Sequence, residues 1–323
     1  MDLSKLCGHI TLDNLEPEVQ RVVIPRVESL PSYPVPKQGN EPNGGARQRF
    51  TFHDMEKRIL GKFLPLTWQL IGSCVGHGAF NVIWRRILKE VVDGQREKFV
   101  MPYLPYMYGA SRMYGEQKYG MRWGNNPNGS TGLCMAESCA TNGIIEIRPE
   151  FIQPKLITDP QTGIMVYQWP EKADSQWAIR PYVPSNLLEE GKKHIFKRVY
   201  RVRTVDEAVA ALNNEQPITI AWNYNLHPSE TRNGKTFMRR GGIVGGHQVC
   251  LTGYDLDPRD PAFFHLNSWP PSWLPKQADG PGGGGWITMD DAEPIISSPN
   301  TEVYAFEDVD GYAEDGSPLV SVM

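Results

Sequence analysis

Apolar residues recur at helical spacing through CVGHGAFNVIWRRILKEVV, at Val75, Ala79, Val82, Ile83, Ile87 and Val91. That period predicts a helix from Cys74 to Val92 with one face buried. Asp93-Gly94 supplies its C-terminal stop. Ser73 stands at the N-cap position, which places Cys74 at the positive end of the helix dipole. Residues 102–123, rich in tyrosine, predict a second helix followed by a loop. Residues 124–133 (GNNPNGSTGL) read as a loop, and CMAESCATNGI as a short helix closed by Asn142-Gly143. Residues 150–200 are irregular, with several prolines and short β-like pieces. TVDEAVAALNNEQ is an amphipathic helix, with Thr204 as cap and Glu207 three residues on, as a capping box requires. From Pro217 the pattern changes. PITIAWNY, IVGGHQVCLTGYD, AFFHLNSW and GGWITM are short apolar runs broken by Gly, Pro and Asp, and read as antiparallel strands. The fold class is therefore α+β, with a helical lobe at about 50–150, a β-rich lobe at about 151–323 and a cleft between them.

Residues 1–49 stand apart. Pro31, Pro34, Pro36, Pro42 and Gly44-Gly45 favour an extended, weakly packed tract over a helix or central strand. The segment reads as an arm, a pro-segment or a plain linker.

Bulk properties narrow the function classes. The 323 residues allow about two lobes at roughly 150 residues each, and 40% hydrophobic residues supply a core. The net charge of -4 offers no basic footprint for nucleic acid. No stretch approaches the roughly 20 apolar residues of a membrane-spanning helix. The opening MDLSKLCGHITLDNLEPEV has no signal-peptide pattern, which predicts a cytoplasmic protein, or a virion-associated one if phage-encoded. Five cysteines is an odd, low count, unlike a disulfide framework.

The chemistry centres on Cys74. A thiol is a useful nucleophile only as thiolate, and a helix N-terminus and a neighbouring imidazolium both lower its pKa. His247, after Gly245-Gly246 at the start of the strand HQVCLTGYD, is the best candidate for that imidazole. Asn267, at the end of FFHLNSW, can hydrogen-bond its other ring nitrogen and fix tautomer and orientation. His77, one helix turn from Cys74, reads as structural, and His265, alternating with Asn267, as packing or solvent-facing. Cys134 and Cys139 lack a second cysteine pair, so no metal site is expected. Cys250 reads as core, and Gly282 to Gly285 as a turn.

Four motifs in order carry a resemblance. GSCVGHGAF resembles the Gly-Ser-Cys-Trp-Ala-Phe motif of papain-like cysteine peptidases, and GGHQVCLTGYD their Gly-His-Ala-Val-x-x-Val-Gly-Tyr strand. LNSWPPSW resembles their Asn-Ser-Trp-Gly-x-x-Trp, and GGGGWITM their closing Gly-x-Gly-Tyr-x-x-Ile strand. TVDEAVAALNNEQPITIAW is similar to the helix-then-strand segment before the histidine, and the resemblance covers roughly residues 55–305. It implies a helical lobe and a β-barrel-like lobe with Cys74 and His247 facing across a cleft. Cys74 would attack an amide carbonyl, His247 would move the proton, Asn267 would orient His247, and Trp269 would shield that contact. Gly129, Ser130, Thr131, Gly132 and Leu133, with Gly246, would bind an extended substrate. The oxyanion-hole glutamine lies six residues before the cysteine in the family. Here Trp68 holds that place and Gln69 follows it, so either Gln69 still points in or the donor is lost. Val75, Leu133 and Pro270 also depart from the pattern, as in divergent papain-like proteins of bacteria and phages.

The resemblance implies thiol-dependent peptide hydrolysis through an acyl-enzyme, with a peptide or protein substrate and no cofactor. Two other readings stay open. One is a papain-fold binding or structural protein, a virion or assembly component that meets other subunits through residues 1–49. The other is an amidase or acyltransferase using the same triad.

Overall fold

The computed structural model describes residues 2–35, 47–93, 99–160, 162–179, 182–273, 277 and 280–309. Gly94, Pro36, Pro42 and Gly44-Gly45, used above as breakers, lie outside the described residues. The helices are α1 (Pro17–Ser29), α2 (Phe52–Leu60), α3 (Cys74–Val92), α4 (Leu104–Tyr119), α5 (Gly132–Thr141), α6 (Glu171–Asp174), α7 (Ser185–Gly191), α8 (Val205–Asn213) and α9 (Met289–Ile296). The strands are β1 (Arg49–Thr51), β2 (Leu66–Trp68), β3 (Lys155–Thr158), β4 (Met165–Gln168), β5 (Val199–Arg201), β6 (Ile218–Arg232), β7 (Lys235–Asp255), β8 (Ala262–Leu266), β9 (Gly284–Thr288) and β10 (Glu302–Phe306). The α+β class holds.

The helix α3 matches its predicted span and is buried on nearly every side. Its small residues make that possible. A Cβ at Gly76 would lie 3.1 Å from the Tyr108 Cβ of α4, and one at Gly78 would lie 3.0 Å from the Gln248 amide of β7. A side chain at Gly76 would press on α4, and one at Gly78 on the Gln248 side chain of β7. Farther along, Arg85 enters the core and pairs with buried Glu56 of α2 at 2.8 Å. The other Glu56 oxygen accepts the Leu64 N–H at 2.8 Å, so the buried carboxylate is held on both sides.

The large sheet runs β5-β10-β6-β7-β8-β9, with β1 added on β7. The end of β7 pairs with β8, while its start pairs in parallel with β9, so the sheet curls on itself. The turn between β6 and β7 is Asn233-Gly234, both at positive φ (52° and 76°), as a tight hairpin requires. Residues 225–240, which the pattern of apolar runs leaves unassigned, form the end of this hairpin around its turn. Pro228 is tolerated because the register shifts there. A smaller sheet, β2-β4-β3, lies apart. The capping box of α8 forms in altered form: Thr204 accepts the Glu207 N–H at 3.1 Å, and the Glu207 carboxylate takes the Arg203 N–H at 2.6 Å.

The N-terminal segment differs from its expected extended form. Residues 17–29 are helical, and Val19, Val23 and Val27 are buried, as are Leu12, Leu15, Leu30 and Tyr33. The valines stand four apart, and Pro17 sits at the first helical position, where its missing N–H costs nothing. The prolines that follow hid this signal. Arg26 pairs with Glu137 of α5 at 2.6 Å, and the Tyr33 N–H reaches the Arg201 carbonyl at 2.9 Å.

Candidate active site

Cys74 opens α3 and is wholly buried. Ser73 occupies the cap position without capping. Its hydroxyl donates instead to Asp174 of α6 at 2.7 Å, and the same carboxylate oxygen lies 3.2 Å from His77 Nε2. This buried cluster ties α6 to the first turn of α3, so His77 is structural, as its helix position suggests.

His247 lies on β7 opposite Trp222 of β6. Its neighbour Gln248 donates to the Val75 carbonyl at 3.1 Å, which fastens β7 to the turn carrying Cys74. The His247 Nε2 atom lies 2.8 Å from Asn267 Oδ1, and the Ser268 N–H points at that same oxygen from 2.7 Å. A backbone N–H can only donate, so the shared atom is the amide oxygen, and Nε2 must carry the proton. The lone pair then sits on Nδ1, which is buried and unpartnered. Trp269 stacks on the ring at 4.4 Å with an interplanar angle of 23°, Tyr224 meets it edge-on, and Trp273 closes over Trp269. His265 is buried rather than exposed, and binds the Tyr224 hydroxyl and the Gly285 carbonyl, each at 3.1 Å. Cys134, Cys139 and Cys250 are free, buried thiols.

The N-terminal segment fills the space over Cys74. Residues 8–10 lie parallel to Ser130: the Ser130 N–H donates to the Gly8 carbonyl and the Ile10 N–H to the Ser130 carbonyl, both at 2.9 Å. On the other side the His9 N–H donates to the Gly246 carbonyl at 2.9 Å. The fit leaves no room for side chains. A Cβ at Gly8 would lie 1.7 Å from the Gly72 carbonyl oxygen, and one at Gly246 would lie 2.0 Å from the His9 carbonyl oxygen. Cys7 sits beside Gly245. Gln69 is buried, and its amide donates to the carbonyls of Leu6, at 2.6 Å, and Ile71, at 2.9 Å. The Trp68 indole N–H, at the position six before the cysteine, has no partner.

Of the six residues expected to bind substrate, Ser130 and Gly246 line this segment directly. Gly129 takes a positive φ of 97° and donates to Gly72, while Thr131 caps α5. The N–H groups of Gly132 and Leu133 point at Glu302, at 3.2 Å and 2.6 Å. The sequence reading missed Glu302 and residues 6–10. A lone carboxylate heading the apolar run EVYAF was the available signal for Glu302. Gly8 between Cys7 and His9 gave only a weak one.

Burial sets the electrostatics. It pushes the Cys74 thiol up to about 11, against the pull of backbone N–H groups from Gln248, Gly8, Val75 and His9. It drives His247 down to about 3, despite the bond to Asn267, with His265, His9 and His77 adding repulsion. Both groups are neutral while covered. His265 is likewise lowered to about 4 by burial. An unfolded imidazole titrates near 6.5, so below that pH the unfolded chain binds protons that the folded chain refuses. Stability is full above about pH 6.5 and falls as pH drops toward 4, by up to about 1.4 kcal/mol per pH unit for each imidazole. Urea midpoints measured from pH 7 to 4.5 check this, and a flat profile would contradict it.

Among the described residues no group of His, Cys, Asp and Glu is arranged to hold a metal ion, and no helix is long and apolar enough to cross a membrane. No family model matches the chain, and no curated sequence does. Solved structures do. Xylellain, a cysteine protease from Xylella fastidiosa, is 16% identical, with 94% of this chain and 96% of that one covered and a TM-score of 0.57. Procathepsin B S9 from Trypanosoma congolense is 12% identical, with 95% and 88% covered and a TM-score of 0.57. Procathepsin L 3 of the Tenebrio molitor larval midgut is 11% identical, with 88% and 78% covered and a TM-score of 0.50. At these identities the likeness is one of fold: the chain has the two-lobed α+β fold of the papain-like cysteine proteases.

Proposed function

We propose that the chain is a thiol peptidase held latent by its own N-terminal segment. The observation that carries this reading is the course of residues 6–10 over a buried Cys74, hydrogen-bonded on both sides as an extended peptide would be. With the segment displaced, water and substrate reach the pair, and the burial that keeps thiol and imidazole neutral is relieved. His247 Nδ1 takes the Cys74 proton, and the thiolate attacks the amide carbonyl. The resulting imidazolium protonates the leaving amine, and water then hydrolyses the thioester. Gln69 already aims one N–H at a carbonyl oxygen, that of Leu6, which supports Gln69 over Trp68 as the oxyanion donor. The docking of residues 3–33 on the same chain supports a pro-segment over an assembly tether.

Burial of Cys74 also favours a second reading, a papain-fold binding protein that performs no hydrolysis. Intact-mass labelling with a peptidyl epoxide separates the two, applied to the chain, to Gly8→Ala, and to Gly8→Ala with Cys74→Ala or His247→Ala. A single adduct in Gly8→Ala, lost in both double variants, is expected. A folded Gly8→Ala chain whose Cys74 accepts iodoacetamide but never the epoxide would leave only the binding protein.

A further inference from the structure

We propose that Cys7 of the N-terminal segment and Cys74 form a reversible disulfide, which locks the covered cleft covalently and makes its opening depend on low-molecular-weight thiols. Calling the bond a lock on activity rests on the peptidase reading. The bond itself is a property of the closed fold and is testable without turnover.

Cys7 is wedged between the two arms that carry the candidate nucleophile and base. On one side its carbonyl oxygen would lie 3.1 Å from a Cβ on Gly72, two residues before Cys74. On the other, its Cβ and Sγ would lie 2.9 Å and 3.1 Å from a Cβ on Gly245, two residues before His247. The flanking backbone is tied down on both sides. The Gln69 amide holds the Leu6 carbonyl at 2.6 Å, and the His9 N–H holds the Gly246 carbonyl at 2.9 Å. The N–H groups of Gly8 and His9 act on the Cys74 sulfur, and Gly8 follows Cys7 directly. One sulfur from the segment and one from the cleft therefore share a small enclosure.

The Cys7 S–H makes a weak bond to the Leu3 carbonyl at 3.6 Å, so oxidation gives up little. Cys7 is also the one cysteine of the five that is only half-buried, which lets an oxidant reach it. Cys134, Cys139 and Cys250 lie in the core.

Two exchange steps form the bond. Cys7, its proton lost to water, attacks a small disulfide such as oxidised glutathione. A mixed disulfide forms and one glutathione leaves as thiolate. His247 Nδ1 then takes the Cys74 proton, and the Cys74 thiolate attacks the Cys7 sulfur. The second glutathione leaves as thiolate and is protonated by the imidazolium. Two protein thiols are oxidised, and one small disulfide is reduced to two thiols. Excess reduced thiol runs the same steps backward. In the closed, reduced chain, burial pushes the Cys7 thiol up to about 12, with Cys74 adding to it, so the first step waits for opening. The second follows closing. A tethered thiol is present at a local concentration of millimolar or more, so the internal bond outcompetes the mixed disulfide where free glutathione is below about 1 mM.

The test equilibrates the full chain in glutathione redox buffers, alkylates it with iodoacetamide and digests it without reductant. A peptide pair joined through Cys7 and Cys74, lighter by two hydrogens than its parts, is expected. Alkylation of Cys74 is lost in the oxidised chain and returns with dithiothreitol. In Cys7→Ser, Cys74 stays open to alkylation or carries glutathione. The parent needs no substitution, so folding is not at issue, and Cys134, Cys139 and Cys250 stay unlabelled in every chain scored. A parent in which Cys74 is free or carries glutathione while Cys7 is unlinked overturns the proposal, and so does a link that forms equally well in urea. A link without cleavage of fluorogenic peptides by the reduced chain or by Gly8→Ala would sink the peptidase reading alone. Cleavage indifferent to the glutathione ratio, with Cys7 unlinked, would sink this proposal alone.

Discussion

A Gly8→Ala chain will present Cys74 to iodoacetamide about 5 to 150 times faster than the parent. The added methyl would stand 1.7 Å from a backbone oxygen of Gly72, which lies in the turn leading into α3 and cannot swing aside as a side-chain tip would. Overpacking of this kind costs about 1–3 kcal/mol, and each 1.4 kcal/mol shifts an equilibrium tenfold. The cost falls on the closed state alone, so the open fraction rises by that factor. Gly242→Ala is the control, since a Cβ there meets nothing within 4 Å. The pattern of labelled thiols distinguishes opening from unfolding. Opening exposes Cys7 and Cys74, whereas unfolding also exposes the buried Cys134, Cys139 and Cys250. Unchanged alkylation of Cys74 would mean that residues 6–10 do not guard it.

In that opened background, His247→Ala is expected to lower peptide turnover by roughly three to six powers of ten. Nε2–H is committed to Asn267, so Nδ1 is the basic site on the ring. Without the ring, the Cys74 thiol has only water to take its proton. Asn267→Ala keeps the base and loses its orientation, so a smaller loss of about two to four powers of ten is expected. Turnover of a fluorogenic peptide panel in the three chains checks the order. A His247→Ala chain within tenfold of its parent would show that another group is the base.

Much of this site was legible in the sequence because its parts are short-range. The helix at Cys74 announced itself by period, Asn267 by its place after an apolar strand, and Trp269 by spacing within LNSWPPSW. The contacts that bring them together are long-range and left no such trace. Nothing in the local pattern pairs Ser73 with Asp174, which lies 101 positions away; Ser73 keeps the cap position, and its hydroxyl goes to Asp174 instead of the helix. Glu302 meets His9, 293 positions distant, and the N–H groups of Gly132 and Leu133, about 170 positions away, only in the fold. The helix over residues 17–29 was hidden differently. Proline content speaks for a whole stretch, whereas three valines four apart speak for one face, and here the face decided.

In the latent-peptidase reading guard and cleft share one chain, so closure is a first-order equilibrium that dilution cannot disturb. Linkage through a short tether supplies a local concentration on the order of millimolar, so even weak intrinsic affinity keeps the cleft covered. A single cut between Tyr33 and Arg49 changes the order of the reaction. The fragment would then compete with solvent at its own bulk concentration, and the buried valines of α1 would set how slowly it leaves. Recovery of activity after such a cut would depend on how far the sample is diluted, and intact protein would show no such dependence.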